Sequence, residues 1–311
     1  MQDHDKLVRE EAQHFARYLT ERQSQGTSLY VDWRWGERIV TENPHIEDDP
    51  GLAKILDGEY RKKVINKASG TNIRVLDLGS GGGWLSLELA RSGAHVHAME
   101  LSFDQILLAK EYLHKNQHED NFGSVKHVCI DLNRMCLPEK YYDRVVVFNV
   151  FHHLHDLYHV LKEIRKTIKQ DGKLVIYDYI GPDSFSTFIE RVLAIVLPSS
   201  LTPYKGFKGK LAAVSKKLRL LPPDYQKHLR NTEVSPFEGI IQKGMVNLVR
   251  SLFDIDMIET NLAFCASVAV RLKDTAYKYK ITRILKKIDD GLIKLGISRG
   301  RYVFIIAHSK E

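Results

Sequence analysis

The sequence predicts an α/β fold, a largely parallel sheet with helices on both faces. Three observations carry this reading. Between residues 72 and 177, short apolar runs alternate with amphipathic stretches in βαβαβ order. Where the first strand should turn into the first helix stands a glycine cluster, Gly79-Ser80-Gly81-Gly82-Gly83. A late run, Arg301 to Ala307, is rich in aromatic and β-branched residues and reads as a final strand joining the same sheet.

In chain order, Asp3 to Glu21 suits a surface helix with a narrow apolar stripe at Leu7, Phe15, Tyr18 and Leu19. Leu52 to Lys67 reads as a second helix. Strands are then expected at Ile73–Leu78, His95–Met99, Val125–Ile130, Arg144–Phe148 and Lys173–Tyr177. Helices are expected between them at Leu85–Ser92, Phe103–His114 and Leu157–Lys169, the last stopped by the Asp171-Gly172 turn. After Asp178 the regularity breaks. Phe188–Leu197 is a helix candidate, and Pro198–Lys210 and Pro222-Pro223 interrupt the chain, as in a segment that covers a substrate. Phe253–Glu259 and Ser267–Arg271 are further strand candidates. Ala276–Leu295 is a helix with Tyr277, Ile281, Ile284, Ile288, Leu292 and Leu295 on one face and Lys278, Arg283, Lys286 and Lys287 off it.

Composition narrows the function classes. The 311 residues are 43% hydrophobic and 27% charged, which excludes disorder and collagen-like structure. No apolar run approaches the roughly 20 residues of a membrane span, and the acidic start lacks the plan of a signal peptide. Three cysteines, Cys129, Cys136 and Cys265, make neither a CxxC pair nor an even set, so a cytoplasmic chain without disulfides is expected. The net charge of +7 is lopsided: residues 1–180 hold 24 basic and 27 acidic side chains, a net −3, and residues 181–311 hold 22 and 12, a net +10. An electrostatic account of partners therefore starts in the second part.

The central motif is Asp77-Leu78-Gly79-Ser80-Gly81-Gly82-Gly83, an acid closing a strand and then glycine at every second position. A dinucleotide fingerprint would need glycine at Trp84. Glycines at 79, 81 and 83 instead let the backbone pass close to a flat ligand without phosphate, and the Asp77 carboxylate can meet a ligand cation. This segment resembles the class I S-adenosylmethionine-dependent methyltransferases from about Tyr60 to Pro182. The resemblance implies a Rossmann-like, seven-stranded, mostly parallel sheet with an N-terminal helical flap and a largely helical insertion after the fifth strand. It also implies that S-adenosyl-L-methionine is the cofactor. Asp77, Gly79, Gly81 and Gly83 match the cofactor loop. Glu100 matches the acid that accepts from both ribose hydroxyls, with Leu101 next to it. Asp131 matches the residue at the adenine amino group, with Leu132 beside the ring, and Asn149 the segment lining the methionine and methyl group. Carboxylates are acceptor-only groups suited to each of these donors, although acids after strands also cap turns and helices.

Four parts follow: a flap at 1–70, the S-adenosylmethionine-binding core at 71–182, a substrate-covering insertion at 183–250, and C-terminal strands with an inserted basic helix at 251–311. Methyl transfer to a hydroxyl or carbon needs a base. His153 is the first candidate, with His152 and Asp178 beside it after strands four and five; the two histidines could instead serve packing in the first turn of a helix. His152, His155 and His159 form no ligand set of the HExxH kind, so no metal is expected. The Phe-His-His-Leu and Asp-Gly-Lys-Leu pieces resemble ubiquinone and menaquinone biosynthesis, natural-product and glycan-modifying methyltransferases. A small-molecule acceptor is expected, a sugar, glycan or secondary metabolite, and the basic second part favours an acidic or phosphate-bearing one. The alternatives are an RNA methyltransferase using Lys205, Lys208, Lys210, Lys216, Lys217, Arg219 and the Lys273–Lys287 stretch, and a non-catalytic binding protein. Nucleic acid is disfavoured because Asn149 is followed by Val150-Phe151 and no RNA-binding module is present. The basic helix can lie on an anionic membrane or pack, solvated, on its own domain; the second is favoured.

Overall fold

The computed structural model describes residues 6, 8–14, 16–17, 50–117, 121–197, 244–270, 272 and 276–310. Seven strands, β1 (Arg74–Leu78), β2 (His95–Glu100), β3 (Ser124–Cys129), β4 (Tyr142–Phe148), β5 (Ile168–Tyr179), β6 (Phe253–Asn261) and β7 (Tyr302–Ser309), make one sheet. Its order is β3-β2-β1-β4-β5-β7-β6. Strands β1 to β5 pair in parallel, and β7 runs antiparallel to both β5 and β6. The parallel strands read as near-continuous apolar runs because both faces are covered. On one face Leu76, Val145, Val147, Leu174 and Ile176 pack under the helices Leu157–Thr167 and Met245–Leu252. On the other, Val75, Val96, Val146 and Val175 pack under Gly58–Ala68 and Trp84–Arg91. Parallel pairing with helical crossovers brings the C-terminal ends of β1 to β5 to one edge, where such sheets bind ligands.

The expected strands β1 to β4, β6 and β7 are present with small shifts at their ends. Strand β5 starts earlier than expected: its register with β4 jumps from Ile168 to Lys173, so the Asp171-Gly172 turn bulges out of the strand rather than preceding it. Of the strand candidate Ser267–Arg271, residues 267–270 are not a strand, and Arg271 lies outside the described residues. Cys265–Ala269 is a helix, and the reason lies elsewhere in the chain, where the buried Asp289 carboxylate accepts hydrogen bonds from the Ala263 and Phe264 amides just before it. The single helix expected at Leu52–Lys67 is two, Pro50–Leu56 and Gly58–Ala68, divided at Asp57. Arg61, one turn on, is fully buried, bonded to Asp57 at 2.9 Å and stacked over Trp84 and Phe148 at 4.9 and 4.8 Å.

The helix after β5 begins at Ser184, four residues before the expected start, because the Asp183 side chain caps it through the Ser186 amide. Arg301, leading into β7, ties this helix to the sheet by a 2.5 Å ion pair with Glu190. The basic helix spans Lys278–Lys294, and Thr282, Leu285 and Asp289 are its buried positions. Of the expected N-terminal helix, residues 8–14 are helical, while Leu7, Phe15, Tyr18 and Leu19 lie outside the described residues. The lysine cluster from Lys205 to Arg219 also lies outside them.

Candidate active site at the carboxyl edge of the sheet

Strand β1 delivers Asp77 into a turn whose Gly79, Gly81 and Gly83 have φ of 67°, 52° and 82°. Those left-handed angles suit glycine, and space adds a second reason. A Cβ on Gly79 would sit 2.4 Å from Val150, and one on Gly83 2.7 Å from Ala109. The two glycines therefore admit protein neighbours as well as shaping the loop, a different reason from the close ligand approach expected from sequence. The Gly79 and Ser80 amides donate to the Met99 carbonyl, which fastens the turn to the end of β2.

At that end, Glu100 is buried and takes the Gly81 amide on one oxygen, at 2.8 Å, and the Leu101 and Ser102 amides on the other, at 2.8 and 2.9 Å. A carboxylate offers about four acceptor positions, so room remains for a further donor. Burial pushes its carboxyl above the ordinary value, while the three amides and the nearby His153 oppose the rise. Asp131, after β3, opens a single 3₁₀ turn, Leu132–Arg134, and accepts from the Asn133 amide at 3.0 Å; Leu132 is buried beside it. Asp77 lies buried under Ser86, whose hydroxyl donates to it at 2.5 Å. Burial, and then the charge of Glu100, push its carboxyl up to about 7 against the pull of that hydroxyl.

The ends of β4 and β5 build the other half. Asn149, at φ 55°, turns the chain through the left-handed region, which asparagine tolerates better than most residues. After that turn the Val150 and Phe151 amides both donate to one oxygen of Asp178, at 2.8 and 2.7 Å. The other oxygen accepts from the Tyr179 amide at 2.8 Å and from His152 Nδ1 at 2.6 Å. Burial raises the Asp178 carboxyl, but His152 and the amides outweigh it and hold the group below its ordinary value. The His152 ring lies against that of His153, tilted at 41° with centroids 4.1 Å apart. His153 is the more open of the two, and its Nδ1 lies 3.3 Å from Glu11, a carboxylate on the N-terminal helix that is 2% exposed. Sequence reasoning missed Glu11: its position in an acidic, polar helix carries no signal of burial.

The residues match a sulfonium nucleoside carrying an amino acid. Among the described residues, the buried Asn149 Oδ1 and Ser80 Oγ have no hydrogen-bond partner, and with the Asp77 and Glu100 carboxylates at the same sheet edge the set is rich in acceptors where such a ligand presents ammonium and hydroxyl donors. All nine residues expected to line the cofactor thus stand at the ends of β1 to β4 or in the turns that follow them. His152, His153 and Asp178 come together at the ends of β4 and β5.

Residues 76–176 match a family described as a methyltransferase domain. The matched stretch, about a third of the chain, is a methyltransferase domain, and its glycine turn and strand-end acids are those expected of the class I, S-adenosylmethionine-dependent kind. The chain is similar to a ubiquinone biosynthesis O-methyltransferase of Pelagibacter ubique, 30% identical over 34% of this chain and 41% of the relative. It is also similar to a 27-O-demethylrifamycin SV methyltransferase of Amycolatopsis mediterranei, 25% identical over 73% of this chain and 85% of the relative. The match to the first of these, and to an (S)-coclaurine N-methyltransferase of Thalictrum flavum, spans about two fifths of the relatives' length, 41% and 37%. The fold is that of a geranyl diphosphate C-methyltransferase from Streptomyces coelicolor, with a TM-score of 0.52 at 11% identity, covering 96% of this chain and 98% of the other. Among the described residues, no helix is long and apolar enough to cross a membrane.

Proposed function

We propose that the chain transfers a methyl group from S-adenosylmethionine to a small-molecule acceptor, a sugar, glycan or secondary metabolite bearing an acidic or phosphate group. The observation that carries this reading is the array on one sheet edge: Asp77, Glu100 and Asp131 in order at the ends of β1, β2 and β3, with the buried Asp178–His152 pair at the ends of β5 and β4. The relatives support the small-molecule part, since their names describe reactions on ubiquinone precursors, coclaurine and a rifamycin. The net +10 of residues 181–311 supports an anionic acceptor.

In this reading Glu100 takes the ribose hydroxyls with Leu101 beside it, Asp131 takes the adenine amino group, and Leu132 packs on the ring. Asp77 and the Asn149 carbonyl oxygen face the ammonium group, and Gly79, Gly81 and Gly83 shape the loop. When bound, S-adenosylmethionine supplies a methyl group already activated by its sulfonium charge. The chain's own tasks are to align the acceptor, keep water out and take up a proton. His153 does the last. With Glu11 at Nδ1 holding the ring proton there, Nε2 keeps its lone pair for the acceptor. Asp178 and His152 position His153 through the contact between the two imidazole rings. Of the parts expected to cover this edge, residues 1–70 and 183–250, most lie outside the described residues.

The test is calorimetry with S-adenosylmethionine, followed by S-adenosylhomocysteine release over a panel of nucleotide-linked sugars and phenolic acids. His153→Ala should lower turnover about 10²- to 10³-fold and leave cofactor affinity within about twofold. Unchanged turnover removes His153 from the mechanism, and absent cofactor binding removes the reading.

A further inference from the structure

The helix Lys278–Lys294 carries more apolar surface than the described residues cover. Its inner side is Thr282, Leu285 and Asp289, and Leu285 joins a cluster with Leu52, Leu56, Phe264 and Val268. Ile281 and Leu292 are half-buried at the margin of that cluster. Beyond them, Tyr277, Ile284, Ile288 and Leu295 stand 67%, 51%, 50% and 74% exposed. At 100° per residue these four fall within a band roughly 40° wide, and from 277 to 295 the row is about 27 Å long. The single apolar face expected from sequence is thus divided, half of it inside and half facing out.

A second row runs beside the first. Lys280, Arg283, Lys287 and Lys294 fall within a band of roughly 60° next to the exposed apolar row. None of these four cations has an ion pair or side-chain hydrogen bond among the described residues, whereas Lys286, nearer the body, is paired with Asp290 at 2.5 Å. A continuous row of large apolar side chains flanked by unpaired cations is complementary to one kind of partner, a surface that is apolar inside and negative at its rim.

We propose that this helix lies on an anionic lipid surface, with Tyr277, Ile284, Ile288 and Leu295 entering the acyl boundary and Lys280, Arg283, Lys287 and Lys294 meeting the headgroups. Binding of this kind is peripheral, and its strength joins apolar insertion to a salt-sensitive charge term. The exposed residues of this helix are none of those assigned to the reaction at the carboxyl edge of the sheet, and the proposal does not depend on that reaction.

The test is sedimentation of the full chain with vesicles of phosphatidylcholine alone and of phosphatidylcholine with 30 mol% phosphatidylglycerol. The wild type should partition at least tenfold more strongly onto the anionic vesicles and lose most of that preference in 0.5 M salt. The double variant Ile284→Ser/Ile288→Ser and the triple variant Lys280→Glu/Arg283→Glu/Lys287→Glu should each weaken partition at least tenfold, with S-adenosylmethionine affinity and melting temperature unchanged. Equal partition by all three proteins, or none by the wild type, overturns the proposal. So does a lower melting temperature of the serine variant, which would mean that the chain itself covers the row. A wild-type dimer that the serine variant converts to monomer, without vesicle binding, assigns the face to a second copy and also overturns it.

Discussion

Asp77 and Asp178 end neighbouring parts of one sheet edge, both buried, yet they are held in opposite states. Asp77 has a hydroxyl donor and the charge of Glu100 nearby, and its carboxyl is pushed up to about 7. Asp178 has three amides and an imidazole, and its carboxyl is held below the ordinary value. Burial acts on both in the same direction, so the donors decide the outcome. A carboxylate surrounded by fixed donors is a permanent charge that can orient a histidine. One with few donors and an anionic neighbour waits for a cation, and the cofactor brings one.

The largest effect expected from this contrast is at Asp178. Asp178→Asn removes the counter-charge of His152 and should cost about 3 kcal/mol in urea unfolding and about 10³-fold in turnover. Because the native carboxyl is depressed, the stability it contributes is present above the ordinary carboxylate value near 4 and is lost as pH falls through the lower native one. The variant should therefore lose the acid limb of the wild-type stability curve, and a stable, active variant would dissolve the contrast. Next comes Glu100→Ala, which should weaken S-adenosylmethionine about 10²-fold in calorimetry by deleting charge-assisted acceptors.

Asp77 gives a smaller and more specific effect. Its raised carboxyl ionises near pH 7, so cofactor affinity should climb as pH rises from 6 to 8, by up to about tenfold, with proton release measurable in buffers of different ionisation heat. The free protein should move the other way. The stability favouring the protonated form is fully present below pH 4 and is lost as pH rises through about 7. Asp77→Asn should flatten both curves; unaltered slopes would place the titrating group elsewhere. Smallest is Glu11→Gln, expected to lower kcat a few-fold, with KM for the cofactor unchanged. A kcat identical to wild type would leave Glu11 a packing residue.

Legibility in the sequence followed the range of the interactions involved. Strands β1 to β4 and the polar residues at their ends could be read from local pattern, because each strand is a short apolar run and Asp77, Glu100, Asp131 and Asn149 each lie within two residues of a strand's last residue. The helix Cys265–Ala269 was misread because Ser267 to Arg271 alternates like a strand, while the group that favours the helix is the Asp289 carboxylate on another element. Glu11 was invisible for the same reason: its meaning comes from His153, on the far side of the chain from it. The glycine turn was located correctly but explained incompletely, since Val150 and Ala109 as well as backbone angles demand those glycines. The basic helix was assigned one apolar face because periodicity records where apolar residues lie and not how much of that face the body covers.

The placement of β7 has a consequence for how the protein is made. Residues 302–309 do not extend the sheet at its rim but insert between β5 and β6, antiparallel to each. A chain emerging from the ribosome can assemble β1 to β5 as soon as they are out, yet β6, although already synthesised, has no strand to join until residue 309 is free. In that interval the open side of β5, with Leu174, Val175 and Ile176 along it, is an unpaired edge of the kind that captures other chains. Yield of soluble protein should therefore depend on how soon residues 302–309 pair with β5.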